Sequence, residues 1–122
     1  MAGPSQNRRI FVVDNERAIS ETLVAILNRH GFDATAFEDP AAALVAAKLS
    51  KPALLISDVE MPWMSGIELA IKFRQYHPDC KVLLFSGDTQ TDDLLAELRA
   101  RGHDFDLLTK PIHPKDLLAK LR

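Results

Sequence analysis

Four apolar runs of this chain end in side chains suited to chemistry: Asp14-Asn15-Glu16, Asp58, Ser86-Gly87-Asp88 and Thr109-Lys110-Pro111. Taken singly, each has an ordinary structural explanation. Asp14 and Asn15 suit a helix cap, Ser86-Gly87 a turn, Asp58 the start of a loop and Lys110 a solvated charge. Gathered in one place they describe more. Two carboxylates about 4 Å apart repel by roughly 4 kcal/mol at an effective dielectric near 20, so something positive belongs between them. Lys110 supplies one charge, and a divalent ion would supply two more. Oxygen donors around a partly hydrated ion select a hard cation, Mg²⁺ or Mn²⁺. Carboxylates, a hydroxyl and a lysine around such an ion describe a phosphoryl-transfer site, in which a carboxylate can itself be the nucleophile. Ser86 would then hydrogen-bond a phosphoryl oxygen, and Gly87 would leave room for the group to approach.

The elements that must position these residues follow from hydropathy patterning. Apolar runs at 9–14 (RIFVVD), 53–58 (ALLISD) and 81–86 (KVLLFS) read as strands buried on both faces, with weaker strand patterns at 33–38 (DATAFE) and 105–110 (FDLLTK). Between them apolar residues fall at helical spacing. Ile19, Leu23, Ile26 and Leu27 form one stripe, ended by Gly31, and Ala42, Val45, Ala46 and Leu49 a second, begun by Asp39-Pro40. Ile67, Ile71, Phe73 and Tyr76 suggest a third, Leu94, Leu95 and Leu98 a fourth, and Leu117, Leu118 and Leu121 a fifth. Five strands alternating with five helices imply an α/β fold, a parallel sheet with helices on both faces. Ligands of such sheets sit beyond the carboxyl ends of the strands, where the polar residues stand. Glu38-Asp39-Pro40, after the second strand, only starts a helix.

Composition narrows the class. With 122 residues, 47% hydrophobic and 26% charged, the chain suits one globular domain. A net charge of −2 and a pI near 6.0 give no electrostatic case for direct nucleic-acid binding. The single cysteine, Cys80, excludes an internal disulfide and suits a reducing compartment. No apolar run is long enough for a signal peptide or membrane span, so a cytoplasmic, membrane-free location is expected. Residues 1–8 read as a disordered N-terminal segment and 9–122 as the domain. His30, His77, His103 and His113 show no metal-ligand spacing, and His30 and His77 suit helix C-termini. Trp63 falls in the loop after Asp58 and should be part-exposed.

The stretches VVDNE (12–16), ISDVEMPWMSG (56–66), LLFSG (83–87) and LLTKP (107–111) occur in an order that resembles the response-regulator receiver domains of two-component signalling, over residues 9–122. The resemblance implies a doubly wound (βα)5 three-layer sandwich of flavodoxin-like type, with strand order 2-1-3-4-5. It implies that Asp58 accepts a phosphoryl group from the phosphohistidine of a sensor kinase or phosphotransfer protein. Mg²⁺ would be held by Asp14, Asn15, Asp58 and the backbone carbonyl of Glu60. Ser86 would swing toward the phosphoryl group and Lys110 would pair with it, before a cis bond to Pro111. Glu16, Gly87, Glu60 and Asp88 would lie near the site. The surface of the fourth helix, fifth strand and fifth helix would relay the signal to a partner or a second copy. Such domains are switches rather than enzymes, beyond catalysing their own phosphorylation and hydrolysis.

Two positions depart from that family's pattern. Asn15 replaces the second carboxylate of the acidic pair, which predicts weakened metal affinity. Leu107 stands at the switch position that usually carries an aromatic, with Phe105 two residues earlier. These departures leave room for a receiver-shaped binding module that takes no phosphate. A small aspartate-nucleophile phosphatase of the haloacid-dehalogenase type is a further alternative, but it would carry its nucleophile as D-x-D on the first strand. The sequence is equally compatible with a free-standing regulator and with the receiver part of a longer protein.

Overall fold

A computed structural model describes residues 7–87 and 91–121. The elements run β1 (Arg9–Val13), α1 (Arg17–Arg29), β2 (Asp33–Phe37), α2 (Pro40–Leu49), β3 (Leu54–Asp58), α3 (Gly66–Tyr76), β4 (Lys81–Ser86), α4 (Thr91–Ala100), β5 (Asp106–Thr109) and α5 (Pro114–Lys120). All strand pairs are parallel, in the order β2-β1-β3-β4-β5. The fold is the expected doubly wound, flavodoxin-like α/β sandwich. From β1 the chain winds outward to β2, then crosses back to β3. The winding therefore reverses between β1 and β3, and the crevice this leaves lies at their carboxyl ends.

Strand alternation divides the apolar side chains between two layers. Phe11, Val13, Leu55, Val82 and Leu84 pack with Ala43 and Ala47 of α2, with Leu69, Ala70 and Phe73 of α3, and with Leu98 of α4. Ile10, Val12, Ile56, Leu83 and Phe85 pack on the other face with Leu23 and Leu27 of α1 and Leu117 of α5. Each fully buried aliphatic or aromatic side chain contributes about 1.5–3 kcal/mol. This double burial is why the three central strands read as continuous apolar runs.

Two helix faces differ from expectation. In α2 the buried residues are Pro40, Ala43 and Ala47, whereas Val45 and Leu49 are 59% and 88% exposed. The sequence Pro-Ala-Ala-Ala-Leu-Val-Ala-Ala is apolar all round, so nothing polar marks the solvent side, and the alanines let the helix approach the sheet closely. In α3, Leu69, Ala70 and Phe73 face the core, and Tyr76 in the last turn is 68% exposed. A phenol at a helix end keeps its hydroxyl in water. Leu98 is buried as expected, while the side chains of Leu94 and Leu95 lie outside those described.

Local signals set the helix ends. Asp39 caps α2 through the Ala41 N–H with Pro40 in the first turn, and Ser65 caps α3 through the Glu68 N–H. His30 and His77 end α1 and α3. Asn7 and Arg8, at the end of the expected N-terminal segment, donate to the Lys51 and Gly31 carbonyls. Among the described residues no helix is long and apolar enough to cross a membrane.

Cys80, 1% exposed at the start of β4, has its thiol pushed up to about 11, chiefly by burial. Thiolate at pH 8 is then roughly a hundredfold scarcer than in an unfolded chain. Titration with an aromatic disulfide reagent at pH 8 should therefore modify Cys80 at least a hundredfold faster in denaturing urea than in buffer.

Candidate functional site

The site is built by short turns that follow β1 and β3. Asp14 extends the ladder beyond β1, its N–H donating to the Phe37 carbonyl at 3.1 Å, and is fully buried. Its Oδ1 accepts the Glu16 N–H at 2.9 Å, while Oδ2 is buried with no hydrogen-bond partner among the described residues. Neither Asp14 nor Asn15 is the cap of α1, a place taken by Glu16. Desolvation raises the Asp14 pKa, opposed by the Glu16 N–H; the Asp58 charge pushes it further up and the Lys110 charge pulls it down.

Asp58 repeats the same turn chemistry. Its Oδ1 accepts the Glu60 N–H at 3.2 Å, and its Oδ2 accepts Lys110 Nζ, also at 3.2 Å. The carboxylate side chain is 3% exposed and the lysine 26%. Lys110 reaches it because β5 pairs with β4 in register, Thr109 beside Ser86, and the Lys110 N–H donates to the Ser86 carbonyl at 2.9 Å. The ammonium also lies 5.3 Å from the centre of the Phe85 ring, and the Lys110-Pro111 bond is cis. Ser86 is buried at the end of β4.

Asn15, Glu16, Asp58, Glu60, Gly87 and Lys110 line an open cleft of about 390 Å³. Sequence reasoning thus names residues that the fold brings together, and Asp14 sits buried behind them. Among the described residues, a Cβ on Gly87 would meet only Lys110 Cδ, at 3.9 Å. Pro111 faces a different, apolar groove between α1 and the segment after β5. Asp88 lies outside the described residues. Leu107 packs half-buried against the layer beneath α2 and α3, and fully buried Phe105 joins the same layer although β5 begins only at Asp106.

Two residues quoted within the motif had no role assigned from sequence. A Cβ on Gly66 would lie 2.1 Å from the Asp58 carbonyl oxygen, so α3 starts in direct contact with the backbone of Asp58. Ser57, fully buried, donates its hydroxyl to that same carbonyl at 3.0 Å. The signal for Gly66 was its fixed place eight residues after Asp58; for Ser57 it was a hydroxyl inside an apolar strand.

The donor set fits a hard divalent cation. Every donor is oxygen, and the orphaned, buried Asp14 Oδ2 is an acceptor that lacks the positive partner it needs. Among the described residues no three Asp, Glu, His or Cys side chains gather as a metal cluster. Asn15 puts an amide where a third carboxylate would stand, leaving the site one charge short.

A parallel 2-1-3-4-5 sheet with a lysine-paired aspartate at its switch point defines the class of chemotaxis-regulator-like α/β domains. The chain belongs to the response regulator receiver domain family of two-component systems, whose model matches residues 10–122. It is 32% identical over 113 residues to the probable transcriptional regulatory protein TcrX of Mycobacterium tuberculosis, covering 93% of this chain and 47% of that protein. The chain spans about half the length of the curated relatives it matches. Among solved structures it is similar to the chemotaxis protein CheY4 of Vibrio cholerae, at 26% identity and a TM-score of 0.83, covering 95% and 97% of the two chains. It is also similar to the response regulator TrrA of Thermotoga maritima in complex with Mg²⁺-BeF, at 29% identity and a TM-score of 0.79, covering 93% and 96%.

Two substitutions test this geometry. Gly66→Ala forces helix and strand apart at a backbone contact and should cost about 3 kcal/mol in urea unfolding, at the upper end for overpacking. Asp14→Asn should do the opposite. Because the native Asp14 pKa is raised, the folded chain binds that proton more tightly than the unfolded one. The stability this confers is complete below the ordinary carboxylate pKa and is lost as pH rises through the raised value. Without added metal, Asp14→Asn should raise the melting temperature at pH 7.5 by on the order of 4 °C, with a smaller gain at pH 4.

Proposed function

We propose that residues 9–122 form a phosphoacceptor switch in which Asp58 takes a phosphoryl group from the phosphohistidine of a sensor kinase or phosphotransfer protein. The observation that carries this reading is the Asp58 carboxylate: nearly buried, yet lining the cleft, with one oxygen held by the Glu60 N–H and the other by Lys110. A carboxylate fixed in this way presents its remaining lone pairs to the opening. One oxygen attacks phosphorus, the P–N bond breaks, and its electron pair leaves with the imidazole nitrogen. Lys110 then moves its charge from the carboxylate to a phosphoryl oxygen, and the Ser86 hydroxyl donates to another.

Asp14, Asn15, Asp58 and the Glu60 carbonyl would hold Mg²⁺, which when bound supplies positive charge against the phosphoryl oxygens. With Asn15 neutral, affinity is weaker than an acidic pair would give. The first strand leads into Asp14-Asn15-Glu16 rather than D-x-D, which speaks against a phosphatase with its nucleophile there. The partners are proteins: the phosphodonor and, through α4, β5 and α5, a target or second copy. With Leu107 at the switch position, read-out on that face runs without the usual aromatic. A cytoplasmic location suits such a donor.

Trp63, 81% exposed in the loop after Asp58, reports the cycle optically. Its fluorescence should change on adding Mg²⁺ and again with acetyl phosphate or beryllofluoride. Asp58→Asn should abolish the second change, and Asn15→Asp should tighten Mg²⁺ binding about tenfold. A second change that persists in Asp58→Asn would refute the assignment.

A further inference from the structure

Ser57 stands where its neighbours call for an apolar side chain. In the sheet it lies between Val13 and Leu84, both buried in the layer beneath α3. It is itself fully buried, and a hydroxyl in such a place is costly unless hydrogen-bonded. Its bond goes to the carbonyl of the next residue, Asp58, at 3.0 Å. That carbonyl is also the atom against which Gly66 packs, and a Gly66 Cβ would come within 3.0 Å of Ser57 Oγ. The hydroxyl, the carbonyl and the first residue of α3 thus form one contact.

We propose that Ser57 is a positioning residue for the phosphoacceptor loop, its hydroxyl fixing the peptide plane that leads from Asp58 to Glu60. This rests on the phosphoacceptor reading above. The 58–59 peptide carries the Val59 N–H, which donates to the Phe85 carbonyl at 3.0 Å. Next along the chain is the Glu60 N–H, which donates to Asp58 Oδ1. The same residue offers the carbonyl assigned to the metal. Rotation of the 58–59 plane would loosen the acceptor carboxylate and displace that carbonyl together.

The test compares wild type with S57A, S57C and S57T. Cysteine keeps the size but is a weak donor, and threonine keeps the hydroxyl. In metal-free protein, amide exchange at Glu60 should speed up about tenfold in S57A and S57C while that of Ile56 stays unchanged. Calorimetric Mg²⁺ affinity should fall about tenfold in the same two variants, the size expected for a residue supporting a ligand. S57T should restore both. Wild-type Glu60 exchange and Mg²⁺ affinity in a folded S57A or S57C would overturn the proposal, as would failure of both to fold, since that marks a core hydrogen bond. A wild-type chain with no Mg²⁺ response would instead overturn the phosphoacceptor reading and this one with it.

Discussion

Unbalanced negative charge, held out of water at one rim of the sheet, is the constraint around which the molecule is arranged. Asp14 and Asp58 stand at the carboxyl ends of adjacent strands, both are nearly inaccessible, and among the described residues the Lys110 ammonium stands against them. Each carboxylate spends one oxygen on the N–H two residues ahead, which closes the turn and fixes the side chain. The remaining oxygens differ. Asp58 Oδ2 meets Lys110, whereas Asp14 Oδ2 has no hydrogen-bond partner among the described residues. Burying an unpaired acceptor of this kind is unfavourable, and a fold tolerates it where a function needs the site poised. The rest of the sheet serves to keep these groups together: β4 and β5 bring Lys110 in, and the winding reversal leaves the crevice open.

Much of this was readable from the chain because the two features that matter, strand ends and their polar successors, are local. Continuous apolar runs bounded by Asp58 and Ser86 place those residues at the rim without knowledge of the neighbours. The helix faces were less readable. In α2 alanine dominates both sides, so spacing cannot choose between Ala43 and Val45, and only close packing on the sheet decides. What Gly66 and Ser57 do was harder to read for another reason. Their importance comes from a carbonyl oxygen reached through the fold, and a backbone atom leaves no mark in composition.

The opposite end of the sheet is held by different chemistry. Arg74, near the end of α3, donates to the Cys80 carbonyl, pairs with Asp104 at 2.8 Å and lies 5.3 Å from the centre of the Phe105 ring. His103 stacks on the far neighbour of this group, 5.1 Å from Phe105. The hydrogen bond from Arg74 holds the Asp104 carboxyl below its usual range, although Asp104 is so exposed that solvent screens most of the effect. The packing is the larger contribution, tying α3, β4 and the entry to β5 into one block. Phe105 is therefore occupied as a structural wedge and is poorly placed to substitute for an aromatic at 107.

Contact between Gly66 and the Asp58 carbonyl leaves the junction of β3 and α3 without slack. A helix that begins against the backbone of Asp58 cannot cushion a displacement there by shifting a side chain, because none intervenes. Whatever is pushed at the aspartate is felt by α3 as a whole, or else deflected toward the lysine side. Stiffness on one flank thus gives any displacement at this strand end a preferred direction.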